Sequence, residues 1–349
     1  MIDPLTQFCF ILLCWAVWRI AGGRGTSLIL VLGGVAFLVL YAPLAAAWIA
    51  FTGVEASLIF AALRNLPRES GWRKFGAYLL LLNLLFVDLH PLVFGLNIET
   101  LAISFSTIRI FMTAKQMLSG RKLPTLGDCW WIFAGGFFLP AIVVGPVFSG
   151  LDLRDQERGD WKSSVDLRDY RLVLQGLVLA VLVNPAFGIV VEQLTGVEGA
   201  GWPLWAGAPY LFLQLFSAFW GQSLIAEHSS RFFGYSLPVN FDAPWKAVTI
   251  REFWSRWHRS MAQFVIQYIF LPLNLKGVSP KLATIAAFVF MGLWHNLSLG
   301  YAIWGFAHGF LLANWPKAEP AGSMRTLSFV ITWVMVISLS YIANFGALS

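Results

Sequence analysis

The sequence is poor in charge. Asp, Glu, Lys and Arg make up only 12% of its 349 residues, against 58% hydrophobic residues, and the mean hydropathy is +0.70. That balance excludes a water-soluble globule, because too few charged side chains remain to cover its surface. Cysteine is almost missing. Cys9, Cys14 and Cys129 have apolar neighbours and no CxxC spacing, so neither a metal cluster nor a disulfide framework is indicated. The net charge of +6 is spread among short loops rather than gathered on one face, which argues against nucleic-acid binding. Histidine occurs five times, yet two of the five stand in one apolar stretch, MGLWHNLSLGYAIWGFAHGF at 291–310.

Apolar runs recur at 27–41, 44–62, 75–87, 129–149, 171–191, 209–226, 280–293, 297–315 and 326–346. They predict an all-α polytopic membrane protein of roughly 9–11 transmembrane helices, integrated as a single domain over 1–349. FCFILLCWAVW at 8–18 has no positive flank before it and no convincing small-residue cleavage site, and is expected to be a retained first span. Lys and Arg then set orientation. Arg19 and Arg24, then Arg64, Arg68, Arg73 and Lys74, then Lys115, Arg121 and Lys122 fall in alternate loops, predicted to be cytoplasmic. The segment 88–98 has no Lys or Arg, and 150–170 mixes both signs, so both are expected on the outer face, with the N-terminus outside. A re-entrant segment would invert everything after it.

The stretch 238–277 departs from plain spans, carrying Lys246, Arg251, Glu252, Arg256 and Arg259 among many aromatics. At about 100° per residue from Ile250, the side chains of Phe253, Trp254, Trp257, Met261, Phe264, Val265 and Tyr268 fall within about 60° of one direction. Arg251, Glu252, Ser255, Arg256, Arg259 and Gln263 fill the rest of the circle. This predicts an amphipathic or re-entrant helix around 249–268, begun by a Thr249/Glu252 capping box. It either lies in the interface plane or lines a water-filled hollow. His258 stands at about 80°, on the border of the two faces.

TIREFWSRWHRSMAQFVIQYIFLPL resembles the Arg/Trp-rich helix ending in Trp-His of membrane-bound O-acyltransferases, and FMGLWHNLSLGYAIWGFAHGF resembles their Trp-His-Gly signature with a following Trp-Gly…His-Gly run. FFLPAIVVGP at 137–146 is similar to the Pro…Gly-Pro element of the bacterial branch that includes alginate O-acetylases and the protein that transfers D-alanine to teichoic acids. The segment 213–245 is similar to that branch's Gly-rich span and Leu-Pro-x-Asn-Phe exit. The two Trp-His motifs stand 37 residues apart in the expected order. The recognisable core runs from about 100 to 315, most clearly over 213–312. Departures are Asn296 where relatives have Gly, Ile266 and Gln267 in place of Arg-Asp before Tyr268, and Ala218, Trp220 and Leu224 in place of acidic or small polar residues. They put the acceptor, or activity itself, in doubt.

The resemblance implies a central tunnel entered by two substrates from opposite sides of a bacterial cytoplasmic membrane. It implies His295 as the general base and His258 as the second catalytic histidine, holding the donor's polar part or orienting the site. Histidine suits the task, because moving an acyl group from a thioester to a hydroxyl requires a base that titrates near neutral pH. Substrate contacts are expected from Trp294, Asn296, Trp257, Arg256 and Tyr268, with no metal. For these the plain alternatives are core or interface aromatics, a packing substitution at Asn296, and lipid headgroups as partners of Arg256 and Arg259. His308 follows His295 by 13 residues, about 220° round a single helix, so the two rings diverge if no kink intervenes; His308 is expected to pack beside Gly305 and Gly309. His228 and His90 read as loop or span-end residues.

No bound cofactor is expected. The co-substrate is an acyl thioester, acetyl-CoA or an acyl-carrier protein, arriving from the cytoplasmic side. The acceptor is a hydroxyl of an envelope polysaccharide or glycolipid. Membrane lipids are partners, with room for a second transferase or carrier protein. The alternative is an acyl conduit or transporter that leaves the chemistry to a partner, favoured by Asn296 and the altered acidic positions. Ion or proton transport fits less well, since Glu55, Asp88, Glu192 and Glu227 lie mostly at span ends.

Overall fold

The computed structural model describes residues 3–84, 99–120, 125–158, 165–195, 207–316 and 320–345, and every regular element among them is helical. The whole segment 88–98, with Asp88 and His90, and Arg121 and Lys122 lie outside the described residues. The helices that matter here are α1 (Pro4–Ile20), α2 (Thr26–Tyr41), α3 (Pro43–Leu63), α4 (Glu99–Ser119), α5 (Trp130–Gly136) and α6 (Gly150–Arg158). They continue with α7 (Leu167–Leu194), α8 (Ala208–Ser229), α9 (Ile250–Arg256), α10 (Arg259–Val265), α11 (Pro280–His295), α12 (Leu299–Asn314) and α13 (Ser323–Phe345). Local chemistry sets several starts. Asp3 caps α1 ahead of Pro4, Ser279 caps α11 ahead of Pro280, and Ser298 caps α12, each side-chain oxygen accepting from a first-turn N–H.

Among the described residues, α3, α7 and Ser323–Tyr341 of α13 are long and apolar enough to cross a membrane, while α1 and α2 are apolar but shorter. The paired helices α11 and α12 have 16 residues each. At 1.5 Å per residue each rises only about 24 Å, less than the roughly 30 Å of a hydrocarbon core.

The chain divides into two compact units, one of Met1–Val181 with Gly221–Pro238, the other of Leu182–Trp220 with Val239–Ser349. In the first unit the apolar run 129–149 does not cross as a span. It forms α5, a 3-10 turn at Leu139–Ala141 and an irregular return. By Gly150 the chain is back beside its own start: a Cβ on Gly150 would strike the Trp131 carbonyl and stand 3.2 Å from the Gly135 nitrogen. Non-helical backbone survives in a membrane protein only where its polar groups are met by protein. Here a row on α4 supplies them: Ser106 donates to the Gly136 carbonyl (2.8 Å), Arg109 to that of Ala141 (2.7 Å), and Thr113 Oγ1 accepts from Gly150 N–H (2.8 Å). Gln7 of α1 donates to the carbonyls of Leu139 and Pro140. Arg109 is wholly buried, with its guanidinium over the Phe148 ring.

This re-entrant turn corrects the loop assignment made from charge. Lys115 donates to the Lys74 carbonyl and Arg73 to those of Leu66 and Leu118. Arg154 pairs with Asp128 at 3.6 Å, Trp130 donates to Ser27, and Arg19 and Gly22 line one cavity together with Gln156 and Tyr170. The described residues of the 150–170 segment therefore share an end of this unit with the basic residues near Arg19, rather than occupying the opposite face.

Candidate active site

The second unit carries both Trp-His motifs. The helix expected over 249–268 is broken: α9 ends at Arg256, Trp257 is extended, and His258 has a left-handed backbone (φ 44°) before α10 begins. Thr249 caps α9 by accepting from Glu252 N–H, but the Glu252 carboxylate accepts from Val248 rather than from Thr249. The break has a visible cause. The extended segment around Asn240 lies along it, with the Asn240 carbonyl accepting from Arg259 N–H and Asp242 N–H donating to the Arg256 carbonyl, both at 3.0 Å. Asn240 Oδ1 accepts from the Ser260 hydroxyl at 2.6 Å, and both residues are buried. A left-handed non-glycine residue costs about 1–2 kcal/mol, and such strain is typical of sites where geometry is imposed.

The buried face read from the helical wheel nonetheless holds. Phe253, Trp254, Trp257, Met261, Phe264, Val265 and Tyr268 are all buried, while Arg251, Ser255 and Gln263 are exposed. His258 has left the border for the interior, at 4% exposure, with Phe219 edge-on at 4.5 Å.

His295 is the last residue of α11. Its position is set by the packing of α11 on α12, which is close because glycines face backbone: a Cβ on Gly292 would strike the Tyr301 carbonyl, one on Gly305 the Phe288 carbonyl, and one on Gly309 would stand 2.8 Å from Ile285 Cα. His295 is exposed. It meets Trp294 at 4.6 Å, Trp304 at 5.7 Å and Tyr301 at 5.8 Å. The buried Trp294 ring also lies 6.3 Å from that of His258, so one indole stands against both motif histidines. Asn296 leaves the helix in an extended conformation and is half-buried.

A kink does intervene between His295 and His308. The chain breaks at 296–298 between α11 and α12, and both rings meet Trp304, His308 at 4.6 Å. His308 is buried beside Gly305 and Gly309, with Nδ1 3.0 Å from the Trp304 carbonyl. A carbonyl can only accept, so Nδ1 carries the proton.

A cavity of about 510 Å3 lies beside the break, with Phe288, Met291 and Val265 on its apolar side and Arg251, Arg259 and Gln263 on its polar side. Of the site residues expected from sequence, His258 alone lines it. Trp257 is packed among Phe212, Phe216, Phe241 and Phe253, and Tyr268 against Phe264. Arg256 pairs with Glu252 at 2.9 Å and donates to the Asp242 carbonyl, so its partners are protein groups. Sequence reasoning missed Trp254, which lines the cavity, and the supporting pair Asn240 and Ser260. The only signal for the pair was an asparagine inside the Leu-Pro-x-Asn-Phe exit, far from the helix it breaks. Among the described residues no group of His, Cys, Asp or Glu could hold a metal ion.

The arrangement joins two histidines through aromatic rings, one buried on a cavity and one exposed. A profile of the membrane-bound O-acyltransferase family matches residues 75–345, and the chain belongs to that family. It is 31% identical over 222 residues to a peptidoglycan O-acetyltransferase of Helicobacter pylori, covering 60% of this chain and 40% of that one. A probable alginate O-acetylase of Pseudomonas fluorescens is 24% identical over 323 residues, 88% of this chain and 64% of its own length. A teichoic acid D-alanyltransferase of Streptococcus thermophilus is 25% identical over 304 residues, 75% of this chain and 72% of its own. The chain thus spans between two fifths and two thirds of the length of the first two relatives.

Proposed function

We propose that the protein is an O-acyltransferase that moves a short acyl group, acetyl or D-alanyl, from a cytoplasmic thioester to a hydroxyl of an envelope polymer. The reading is supported by family membership, by relatives named for acetylating peptidoglycan and alginate or D-alanylating teichoic acid, and above all by the exposed His295 ring held between Trp294 and Trp304. His295 takes the acceptor hydroxyl proton as the oxygen attacks the thioester carbonyl. The tetrahedral intermediate expels the thiolate, which receives that proton from the imidazolium. No acyl-enzyme forms. His258, on the cavity, holds the polar part of the donor, and the apolar wall of Phe288 and Met291 receives the acyl group. The two substrates reach the site from opposite sides of the cytoplasmic membrane, with the basic loops of the first unit inside.

The test is mass spectrometry of envelope glycans and lipids from cells with and without the protein. A mass difference of one acetyl or one D-alanyl group per acceptor unit supports the reading. Unchanged polymers would sink it, and acylation retained by His295→Ala beside a partner transferase would favour the conduit instead.

A further inference from the structure

The first unit holds a cavity of about 590 Å3 at the end of α1, lined by neither motif histidine. Its walls are aromatic. Tyr170 stacks on Phe232 at 5.0 Å, Trp15 stands on Phe232 at 6.4 Å, and Trp18 meets Phe233 at 6.0 Å. Most polar groups here are already committed within the protein. Trp18 Nε1 donates to Thr26 at 3.0 Å. Gln156 is held at both ends by the backbone of Ser236, accepting at 2.7 Å and donating at 3.2 Å. The Tyr235 hydroxyl donates to Glu157 Oε2 at 2.9 Å.

Among the described lining residues, the charged groups left to meet a ligand are one anion and one cation. Glu157 keeps its second carboxylate oxygen, and the Arg19 guanidinium lies over the Trp15 ring at 5.9 Å. Neither makes an ion pair among the described residues. A neutral sugar would need a fan of uncommitted donors and acceptors, and a polyphosphate would face one arginine and a repelling carboxylate. A zwitterion suits a carboxylate and aromatic faces on one side and a guanidinium on the other. The turns of α1 leading to the cavity expose Leu13, Val17 and Ile20, the last at 87%. That apolar face, ending in Trp18 and Arg19, has the composition of a helix emerging at a membrane boundary.

We propose that this cavity binds the headgroup of a phospholipid bearing a primary ammonium, with the ammonium on Glu157 and the aromatic walls, the phosphate on Arg19, and the acyl chains along α1. The chemistry is that of phosphoethanolamine, whether tethered to lipid or free. Full-length protein, stripped of lipid in detergent, is incubated with phosphatidylethanolamine or phosphatidylglycerol, and retained lipid is counted by native mass spectrometry. Free phosphoethanolamine is titrated calorimetrically.

Phosphatidylethanolamine is expected to be retained about tenfold better than phosphatidylglycerol, and Glu157→Gln to erase that preference. Tyr235→Phe, which removes only the hydroxyl on the carboxylate, should keep it. Should Glu157→Gln unfold, Arg19→Gln reads the phosphate contact and is expected to lower retention of the same lipid about tenfold. Equal retention of the two lipids, or a preference untouched by Glu157→Gln, overturns the site. Free phosphoethanolamine binding as tightly as the lipid overturns the tethered source.

Discussion

Replacing Gly305 with alanine puts a methyl group where the backbone of α11 already stands. An ideal Cβ there would lie 2.9 Å from both the Phe288 carbonyl carbon and Val289 Cα, and closer still to the Phe288 oxygen. Carbon atoms pack best at about 3.5–4.0 Å, so the helices must part by roughly 0.6–1 Å, and because the obstacles are backbone no side chain can swing aside. Overpacking of this kind costs about 1–3 kcal/mol. The displacement falls on Trp304 and Tyr301, the rings that meet His295, and a misplacement near 1 Å can reduce turnover about 100-fold. The assay is acyl transfer to envelope polymer alongside thermal unfolding in detergent. Gly71→Ala, where a Cβ would meet nothing within 4 Å, serves as the control. Wild-type melting and wild-type transfer in Gly305→Ala would refute the claim that the α11–α12 contact positions the site.

Three further outcomes follow from the break at His258. Asn240→Ala removes the acceptor of the buried Ser260 hydroxyl, so the protein should lose about 1–3 kcal/mol and melt earlier; an unchanged midpoint contradicts that support. His258→Ala keeps the left-handed strain whereas His258→Gly relieves it, so the glycine variant should unfold at the higher temperature by the equivalent of about 1 kcal/mol, both being inactive; the reverse order argues against the strained backbone. Arg256→Gln breaks a part-exposed pair with Glu252, so stability should fall by no more than about 1 kcal/mol with acyl transfer retained. A large rise in the apparent KM for the donor would instead give Arg256 a substrate.

How much could be read in advance depended on whether the cause lay nearby in sequence. The buried face of 250–268 was legible because helical spacing survives a break when the chain resumes on the same side, as Met261 and Phe264 do after Trp254 and Trp257. The break itself was not, because its partner groups come from Asn240 and Asp242 in another segment. Hydropathy likewise marks 129–149 as a span. What turns it back is a polar row, Ser106, Arg109 and Thr113, spaced three and four residues apart on α4. A row at that spacing is a helix-face signal, whereas an averaged apolar score hides it. The site histidines were legible only through their resemblance to a family pattern. The separate apolar runs 280–293 and 297–315 marked a break between His295 and His308, but spacing could not show that the turn at 296–298 brings both rings to Trp304.

The central claim is that the His295 imidazole removes the acceptor proton. Its most direct test is turnover of purified protein in vesicles, with a thioester donor outside and acceptor polymer inside, for His295→Ala against wild type. The account predicts loss of transfer by at least about 100-fold, with an unchanged melting midpoint and donor binding. Transfer by His295→Ala within a few-fold of wild type, in vesicles holding no other protein, would contradict it.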